Sequence, residues 1–129
     1  MSKEPVSLTP NAMRVLKARY LKKNEHGETI ESPEELFSRV ARTVAAAENQ
    51  HGTLTEEEIQ DLEVAFYNEM VTGRFMPNSP TLMNAGRSMG MLSACFVLPV
   101  GDSIDEIFDT VKATAIIQKA GGGTGFAFD

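Results

Sequence analysis

Apolar residues recur at intervals of three and four along four stretches of the chain, and this spacing predicts four helices. The first is expected from about Thr9 to Lys23, with the Thr9 side chain as its N-cap and a proline at the first helical position. The second begins at Ser32 and carries the fullest apolar stripe, formed by Leu36, Phe37, Val40, Ala41, Val44 and Ala45. This stripe predicts one buried helix face.

The third helix is expected to start at Thr55 and to end at Gly73, where a glycine can adopt the left-handed conformation. The fourth is expected to start at Ser103 and to end at the glycine run, residues 121–125. Three of the helices begin with a capping box, in which a Ser or Thr and a Glu three residues later exchange hydrogen bonds. The pairs are Ser32 and Glu35, Thr55 and Glu58, and Ser103 and Glu106.

The pattern changes between the third and fourth helices. Residues 74–90 contain two prolines and two glycines, which exclude a long helix, and we interpret them as an ordered loop with one helical turn. The apolar run 92–98 predicts a buried strand, and Phe126 opens a second strand. Strand, helix and strand in this order predict a β-α-β unit with parallel strands. Two strands do not form a stable α/β sheet alone, so we expect the chain to end at Asp129 within a larger architecture.

Length and composition are those of one ordinary domain. The 129 residues are 42% apolar and 23% charged, which is typical of a folded globular protein. The net charge of −6 argues against general binding to nucleic acid or to an anionic membrane, because phosphates would be repelled. No apolar run is long enough to cross a bilayer, and the N-terminus lacks the apolar stretch of a signal peptide. We therefore expect a cytoplasmic protein.

Cys95 is the single cysteine, which excludes both an intramolecular disulfide and a thiolate-rich zinc site. The two histidines, His26 and His51, fall in polar segments and are expected on the surface. Cys95 lies on the apolar run, where a lone cysteine is usually a small buried side chain. Its small neighbours Ser93 and Ala94 leave access to the sulfur, so a reactive thiol is the alternative interpretation.

Two turns flank the fourth predicted helix. The glycine run can expose several backbone N–H groups to a phosphate, or it can simply end the helix. It is not a P-loop, and it follows a helix C-terminus, where the dipole does not favour an anion. Before the helix, Asp102 and Ser103 form a turn and an N-cap. The Asp102 carboxylate could also accept hydrogen bonds from a ribose, and the helix N-terminus could hold an anion.

Four segments of the chain form a set that occurs in one known family. They are Asn78-Ser79-Pro80-Thr81-Leu82-Met83-Asn84-Ala85-Gly86, Ser93-Ala94-Cys95-Phe96-Val97-Leu98-Pro99, Gly101-Asp102-Ser103 and Gly121-Gly122-Gly123-Thr124-Gly125-Phe126. With these segments in this order, the sequence resembles the large chain of ribonucleotide reductases, most closely the adenosylcobalamin-dependent group called class II. The resemblance extends from about Leu8 onward and is most specific from Phe75 to Phe128.

The resemblance implies a fold and a role for particular residues. The fold is a mainly α N-terminal helical domain, residues 1–91, followed by the first β-α-β unit of an incomplete ten-stranded α/β barrel, residues 92–129. Cys95 would be a redox-active cysteine that pairs with a second cysteine far downstream and reduces the ribose 2′ position, while a third cysteine forms the thiyl radical. The implied substrate contacts are Ser79, Ala94, Cys95 and Gly121. The implied contacts to the allosteric specificity nucleotide are Asp102, Ser103 and Ile104.

The partner cysteine, the radical cysteine, any cobalamin site and the N-terminal ATP-binding region of many relatives are missing from these 129 residues. We therefore expect the chain to be inert and free of cofactor by itself. Adenosylcobalamin, a ribonucleotide substrate (diphosphate or triphosphate) and a deoxynucleotide effector would act in an enzyme completed by the C-terminal barrel portion. The chain would then be separately encoded, truncated, or one part of an interrupted gene. Two alternatives are a non-catalytic nucleotide-binding or interaction module derived from that enzyme, and a structural helical domain with a buried cysteine.

Overall fold

The computed structural model describes residues 2–50 and 52–128, and its elements follow the predicted order. They are α1 (Pro10–Arg19), α2 (Pro33–Ala45), a 3-10 helix (Ala46–Gln50), α3 (Glu56–Val71), α4 (Ser79–Asn84), β1 (Cys95–Pro99), α5 (Ile104–Lys119) and β2 (Gly123–Ala127). The predicted fold class, a mainly α region followed by a β-α-β unit, is confirmed. His26 is exposed as predicted, and His51 lies outside the described residues.

Side-chain caps determine where the five described α-helices begin. Thr9 Oγ1 accepts the Ala12 N–H at the start of α1, at 3.2 Å. The three predicted capping boxes are present at the starts of α2, α3 and α5. Asn78 caps α4, and this cap is one that the sequence pattern did not predict. At the other end of α3, Gly73 adopts the predicted left-handed conformation, with a φ of 72°.

α1 ends at Arg19, earlier than predicted, because the chain reverses into a small antiparallel hairpin over residues 22–30. Glu31 fixes this hairpin to α2. Its Oε2 atom accepts the Lys22 N–H at 2.9 Å, and its two oxygens accept from Arg39 Nε and Nη2 at 2.7 and 3.2 Å. A bidentate Arg–carboxylate pair of this kind sets the orientation of both groups.

The helical unit, residues up to Pro77, has its core between α2 and α3. The apolar stripe predicted for α2 is buried, apart from Val44, which is partly exposed. α3 contributes Tyr67 and Met70 to the same core. The largest fully buried side chains all come from α2 and are Phe37, Leu36 and Val40.

The C-terminal unit, from Asn78 onward, contains α4 and a β-α-β unit whose strands are parallel, as predicted. The paired residues are Cys95 and Gly123, Phe96 and Thr124, Val97 and Gly125, Leu98 and Phe126, and Pro99 and Ala127. β2 begins at Gly123 and not at Phe126, because the Gly123 N–H donates to the Ala94 carbonyl at 2.7 Å. Part of the glycine run is therefore a strand.

The predicted burial of the first strand is wrong. β1 begins at Cys95, and its residues alternate between exposed and half-buried, with Val97 76% exposed. A parallel strand is buried only when other layers cover both faces of its sheet. In residues 2–50 and 52–128 the sheet has two strands and α5 packs against it, so part of its surface meets solvent.

Two further sequence predictions concern the whole chain. The compact units divide between Pro77 and Asn78, and the predicted boundary between the domains 1–91 and 92–129 stays a prediction. Within the described residues, no helix has both the length and the apolar content needed to cross a bilayer.

Candidate functional site

The start of α4 is fixed by Asn78 and Thr81. Asn78 Oδ1 accepts the Thr81 N–H at 2.9 Å and lies 2.8 Å from Thr81 Oγ1. The same hydroxyl lies 3.0 Å from the Leu92 carbonyl, so its one hydrogen has two acceptors. Thr81 therefore holds α4 against the segment that leads into β1. Ser79, the first residue of α4, is exposed beside this contact.

Asn84, at the end of α4, joins two further segments of the C-terminal unit. Its Nδ2 atom donates to the Met91 carbonyl at 3.0 Å and to the Ala120 carbonyl at 2.9 Å. Because an amide nitrogen carries two hydrogens, both bonds form at once. Sequence reasoning missed Thr81 and Asn84, although their spacing of three in an otherwise apolar helical turn places both on one side of that turn.

Cys95 is the first residue of β1, and its thiol is exposed. The residue beside it on β2 is Gly123, which has no side chain to cover the sulfur. The preceding residue, Ala94, is half-buried, and its carbonyl is the acceptor for Gly123. The interpretation of Cys95 as a small buried side chain is therefore wrong for this chain. In this chain Cys95 is instead an accessible residue at the amino end of two parallel strands.

The glycine turn, residues 120–122, ends α5 and leads into β2. Gly121 has a φ of 92°, a left-handed conformation that favours glycine. The Gly121 and Gly122 N–H groups donate to the carbonyls of Gln118 and Ile117, both at 3.0 Å. With the Gly123 N–H also occupied, these three groups do not form a phosphate cradle. Of the two interpretations of the glycine run, the helix-ending turn agrees with the structure.

Gly122 lies where no side chain fits. A Cβ atom at this position would come within 2.7 Å of Ile117 Cγ2, 3.0 Å of Met91 Cε and 3.2 Å of Phe96 Cε2. Real Cβ atoms essentially never approach a neighbour below 3.0 Å. The glycine therefore lets α5, β1 and the segment before β1 pack against the turn.

Ser103 and Glu106 form the cap of α5 at the opposite end of the β-α-β unit. Ser103 Oγ donates to Glu106 Oε2 at 2.6 Å, the Ser103 N–H donates to the same oxygen at 3.1 Å, and Ser103 Oγ accepts the Glu106 N–H at 3.2 Å. The hydroxyl and then the backbone N–H of Ser103 lower the pKa of Glu106 below its ordinary value. The Ser103 hydroxyl is thus engaged within the cap.

Asp102 lies in the turn before α5 and is exposed. It lines a half-open cavity of about 490 Å³. The other lining residues are Val100, Gly101, Ile107 and Phe128. Ile104, the first residue of α5, is 70% exposed. Asp102 thus lines the cavity together with the apolar side chains of Val100, Ile107 and Phe128, whereas Ser103 and Ile104 follow it in sequence without lining the cavity.

Two family models and several relatives match the sequence that forms the helical unit and the β-α-β unit. Residues 6–90 match the ribonucleotide reductase all-alpha domain, and residues 93–129 match the ribonucleotide reductase barrel domain. The chain belongs to the ribonucleotide reductase large-chain family.

Relatives within the ribonucleotide reductase family include cobalamin-dependent enzymes. The vitamin B12-dependent ribonucleoside-diphosphate reductase of Thermoplasma acidophilum is 38% identical over 178 residues, covering 98% of this chain and 23% of that protein. The Mycobacterium tuberculosis H37Rv protein of the same name is 43% identical over 126 residues, covering 98% and 17%. The large subunit of Acanthamoeba polyphaga mimivirus is 36% identical over 119 residues, covering 92% and 12%. The predicted similarity to the cobalamin-dependent group is confirmed, and the chain spans less than a quarter of these relatives.

The two sets of residues that the reductase resemblance implies lie at opposite ends of α5. Cys95, Ala94 and the Gly121 turn lie where the strands begin and α5 ends, whereas Ser103 caps the start of α5. A helix of 16 residues is about 24 Å long, so the two sets are separated by roughly that distance. Asn84 attaches α4, and with it Ser79, to the end that carries Cys95.

Cobalamin is implied by the two vitamin B12-dependent relatives named above, and we assign none of the described residues to it. Residues 2–50 and 52–128 contain no cluster of three or more His, Cys, Asp or Glu side chains that could hold a metal ion. The cavity beside Asp102 and an apolar cavity between α2 and α3 are both lined without an imidazole. No step proposed below passes through that group.

Proposed function

We propose that this chain is the N-terminal portion of a ribonucleoside-diphosphate reductase, which converts ribonucleotides into deoxyribonucleotides, and that Cys95 is one of its two redox-active cysteines. The observation that carries the proposal is the exposed Cys95 thiol beside Gly123, in a chain almost all of which aligns with such reductases. An exposed thiol can meet both a substrate and a second thiol, whereas a buried one cannot.

The proposed reaction step consumes two thiols. Cys95 and a second cysteine of the remaining barrel portion are oxidised to a disulfide, supplying two electrons and two hydrogens. At the ribose, the C2′–O bond breaks, a C2′–H bond forms, and the oxygen leaves as water. A lone thiol cannot supply both electrons in this way, so Cys95 contributes half of the reductant. The radical chemistry implied by the resemblance belongs to residues outside this chain.

The proposed substrate contacts surround Cys95. Ser79, on the exposed start of α4, is the hydroxyl expected near the substrate phosphates. Ala94 directly precedes β1, and Gly121 lies two residues before β2. The first residues of these strands, Cys95 and Gly123, are paired with each other. Because the Gly121 N–H donates to Gln118, we expect Gly121 to meet the substrate through its bare Cα surface.

The proposed effector contacts are Asp102, Ser103 and Ile104. The exposed Asp102 carboxylate, beside its cavity, can accept hydrogen bonds from a nucleotide ribose. The Ser103 hydroxyl is used by the Glu106 cap, so we expect Ser103 to act through its backbone and Ile104 through apolar contact. α5 is then the element that connects an effector at its start to the substrate site at its end.

The remaining barrel portion of the reductase is the proposed partner. Several large apolar side chains of the β-α-β unit are exposed in this chain, which is unusual for the solvent-facing surface of a complete domain. They are Val97, Ile104, Phe108, Val111, Ile116, Phe126 and Phe128. Further barrel strands and helices would cover such a face, and cobalamin would be bound by that portion.

A chimeric reductase tests the proposed function. In it, this chain replaces the aligned residues of the Mycobacterium tuberculosis reductase. We expect the chimera to reduce a ribonucleoside diphosphate only when adenosylcobalamin is added, at about a tenth of the parent's rate or more, which corresponds to a barrier within about 1.4 kcal/mol of the parent's. The measurement is deoxynucleotide formation by chromatography.

The control for the chimera is the parent reductase with the aligned residues deleted, which we expect to be inactive. A chimera that has the parent's circular dichroism spectrum and melting temperature but forms no deoxynucleotide would contradict the proposed function. If this chain alone then bound a deoxynucleoside triphosphate in calorimetry, a non-catalytic nucleotide-binding module would be the better description.

A further inference from the structure

We propose that Asn84 is a positioning residue of the reductase site, which holds the glycine turn beside Gly121 in place relative to Cys95. The inference rests on the proposed function and extends it to a residue that touches neither substrate nor the reacting sulfur. It follows from two hydrogen bonds made by one amide group.

The Asn84 amide connects the two segments that carry the proposed site. One of its hydrogens goes to the carbonyl of Met91, four residues before Cys95, and the other goes to the carbonyl of Ala120, directly before Gly121. Because both carbonyl oxygens accept from the same nitrogen atom, Asn84 limits the distance between Met91 and Ala120. Asn84 is 8% exposed, so water competes little for these bonds.

The two segments differ in what else holds them. The segment before β1 receives a second side-chain contact from the Thr81 hydroxyl, at the Leu92 carbonyl. The glycine turn receives a side-chain hydrogen bond from Asn84 at the Ala120 carbonyl, in addition to its backbone bonds to Gln118 and Ile117. Without the Asn84 donors, the segment before β1 would keep the Thr81 contact and the turn would keep its backbone bonds, so we expect the turn to shift and not to unfold.

The chemistry at position 84 requires an amide. Two carbonyl oxygens face the same nitrogen, and both need a donor. An ionised carboxylate of the same shape offers acceptors only, and a protonated one offers a single hydrogen, so neither form can donate to both carbonyls. Asn84→Asp is thus nearly isosteric but loses at least one of the two donors, whereas Asn84→Ser keeps a single donor on a shorter side chain.

The chimeric reductase separates positioning from stability through KM and kcat. We expect N84D to raise the KM for the ribonucleoside diphosphate about tenfold while kcat per active site changes less than about threefold, because the turn that contacts substrate is displaced. A purely structural role would lower the fraction of active enzyme and leave KM unchanged, and that result would overturn the proposal. The matched control is N11D, on the exposed surface of α1, which we expect to change neither constant.

Hydrogen exchange on this chain tests the hydrogen bonds independently of activity. We expect N84D to increase the exchange rates of the Gly121 and Gly122 amides at least about tenfold relative to N11D, because the turn opens locally. Equal rates would overturn the proposal. If N84D does not fold, both measurements are made on N84S. We then expect smaller changes in the same direction, and the absence of these changes would overturn the proposal. An inactive wild-type chimera would contradict the proposed function and this role together, while exchange would still report on the hydrogen bonds.

Discussion

Cys95→Ser in the chimeric reductase is expected to lower the rate of deoxynucleotide formation by at least about a thousandfold, a barrier increase of about 4 kcal/mol. A serine hydroxyl cannot form a disulfide, so the two-electron reduction of the ribose loses half of its reductant. The measurement is turnover with adenosylcobalamin and a dithiol reductant. Because Ser differs from Cys by a single atom of similar size, the substitution should shift the melting temperature of the chimera by only a few degrees.

The matched control for this prediction is Ser93→Ala, which removes an exposed hydroxyl two residues before the thiol. We expect it to change turnover less than about threefold. If Cys95→Ser turned over as fast as Ser93→Ala, the thiol would take no part in the reaction.

Phe37→Ala is expected to destabilise the helical unit by about 3–5 kcal/mol, the cost typical of removing a large buried aromatic ring. Phe37 is 2% exposed and lies at the centre of the core between α2 and α3. Urea unfolding of this chain followed by tyrosine fluorescence measures the change. Both tyrosines, Tyr20 and Tyr67, belong to the helical unit, so the signal reports that unit alone.

Phe75→Ala is the control for the core prediction. Phe75 is also an aromatic residue of the helical unit but is 62% exposed, so its loss should cost less than about 1 kcal/mol. Equal unfolding free energies for the two variants would contradict the assignment of the core to the apolar stripe of α2.

The helices were largely predictable because their signals are local. A capping side chain and the N–H groups that it satisfies are three residues apart, and an apolar stripe is visible within one helix. The starts of α2, α3 and α5 therefore follow from Ser32, Thr55 and Ser103, each with its glutamate. The end of α1 did not follow, because it depends on a hairpin that Glu31 holds against Arg39.

The strands and the site were less predictable because their determinants are distant in sequence. Burial of β1 depends on the layers above and below its sheet, which an apolar run does not specify. The strand character of Gly123 depends on the Ala94 carbonyl, and the role of Asn84 depends on Ala120, 36 residues away. The importance of Cys95 came from a family resemblance, and its accessibility came from the structure.

We propose above all that Cys95 is one half of a reducing thiol pair. A single turnover of the chimera without external reductant, followed by alkylation and mass spectrometry, tests it most directly. We predict a disulfide that joins Cys95 to a cysteine of the remaining barrel portion, in proportion to the deoxynucleotide formed. Full alkylation of Cys95 after deoxynucleotide has formed would contradict the claim.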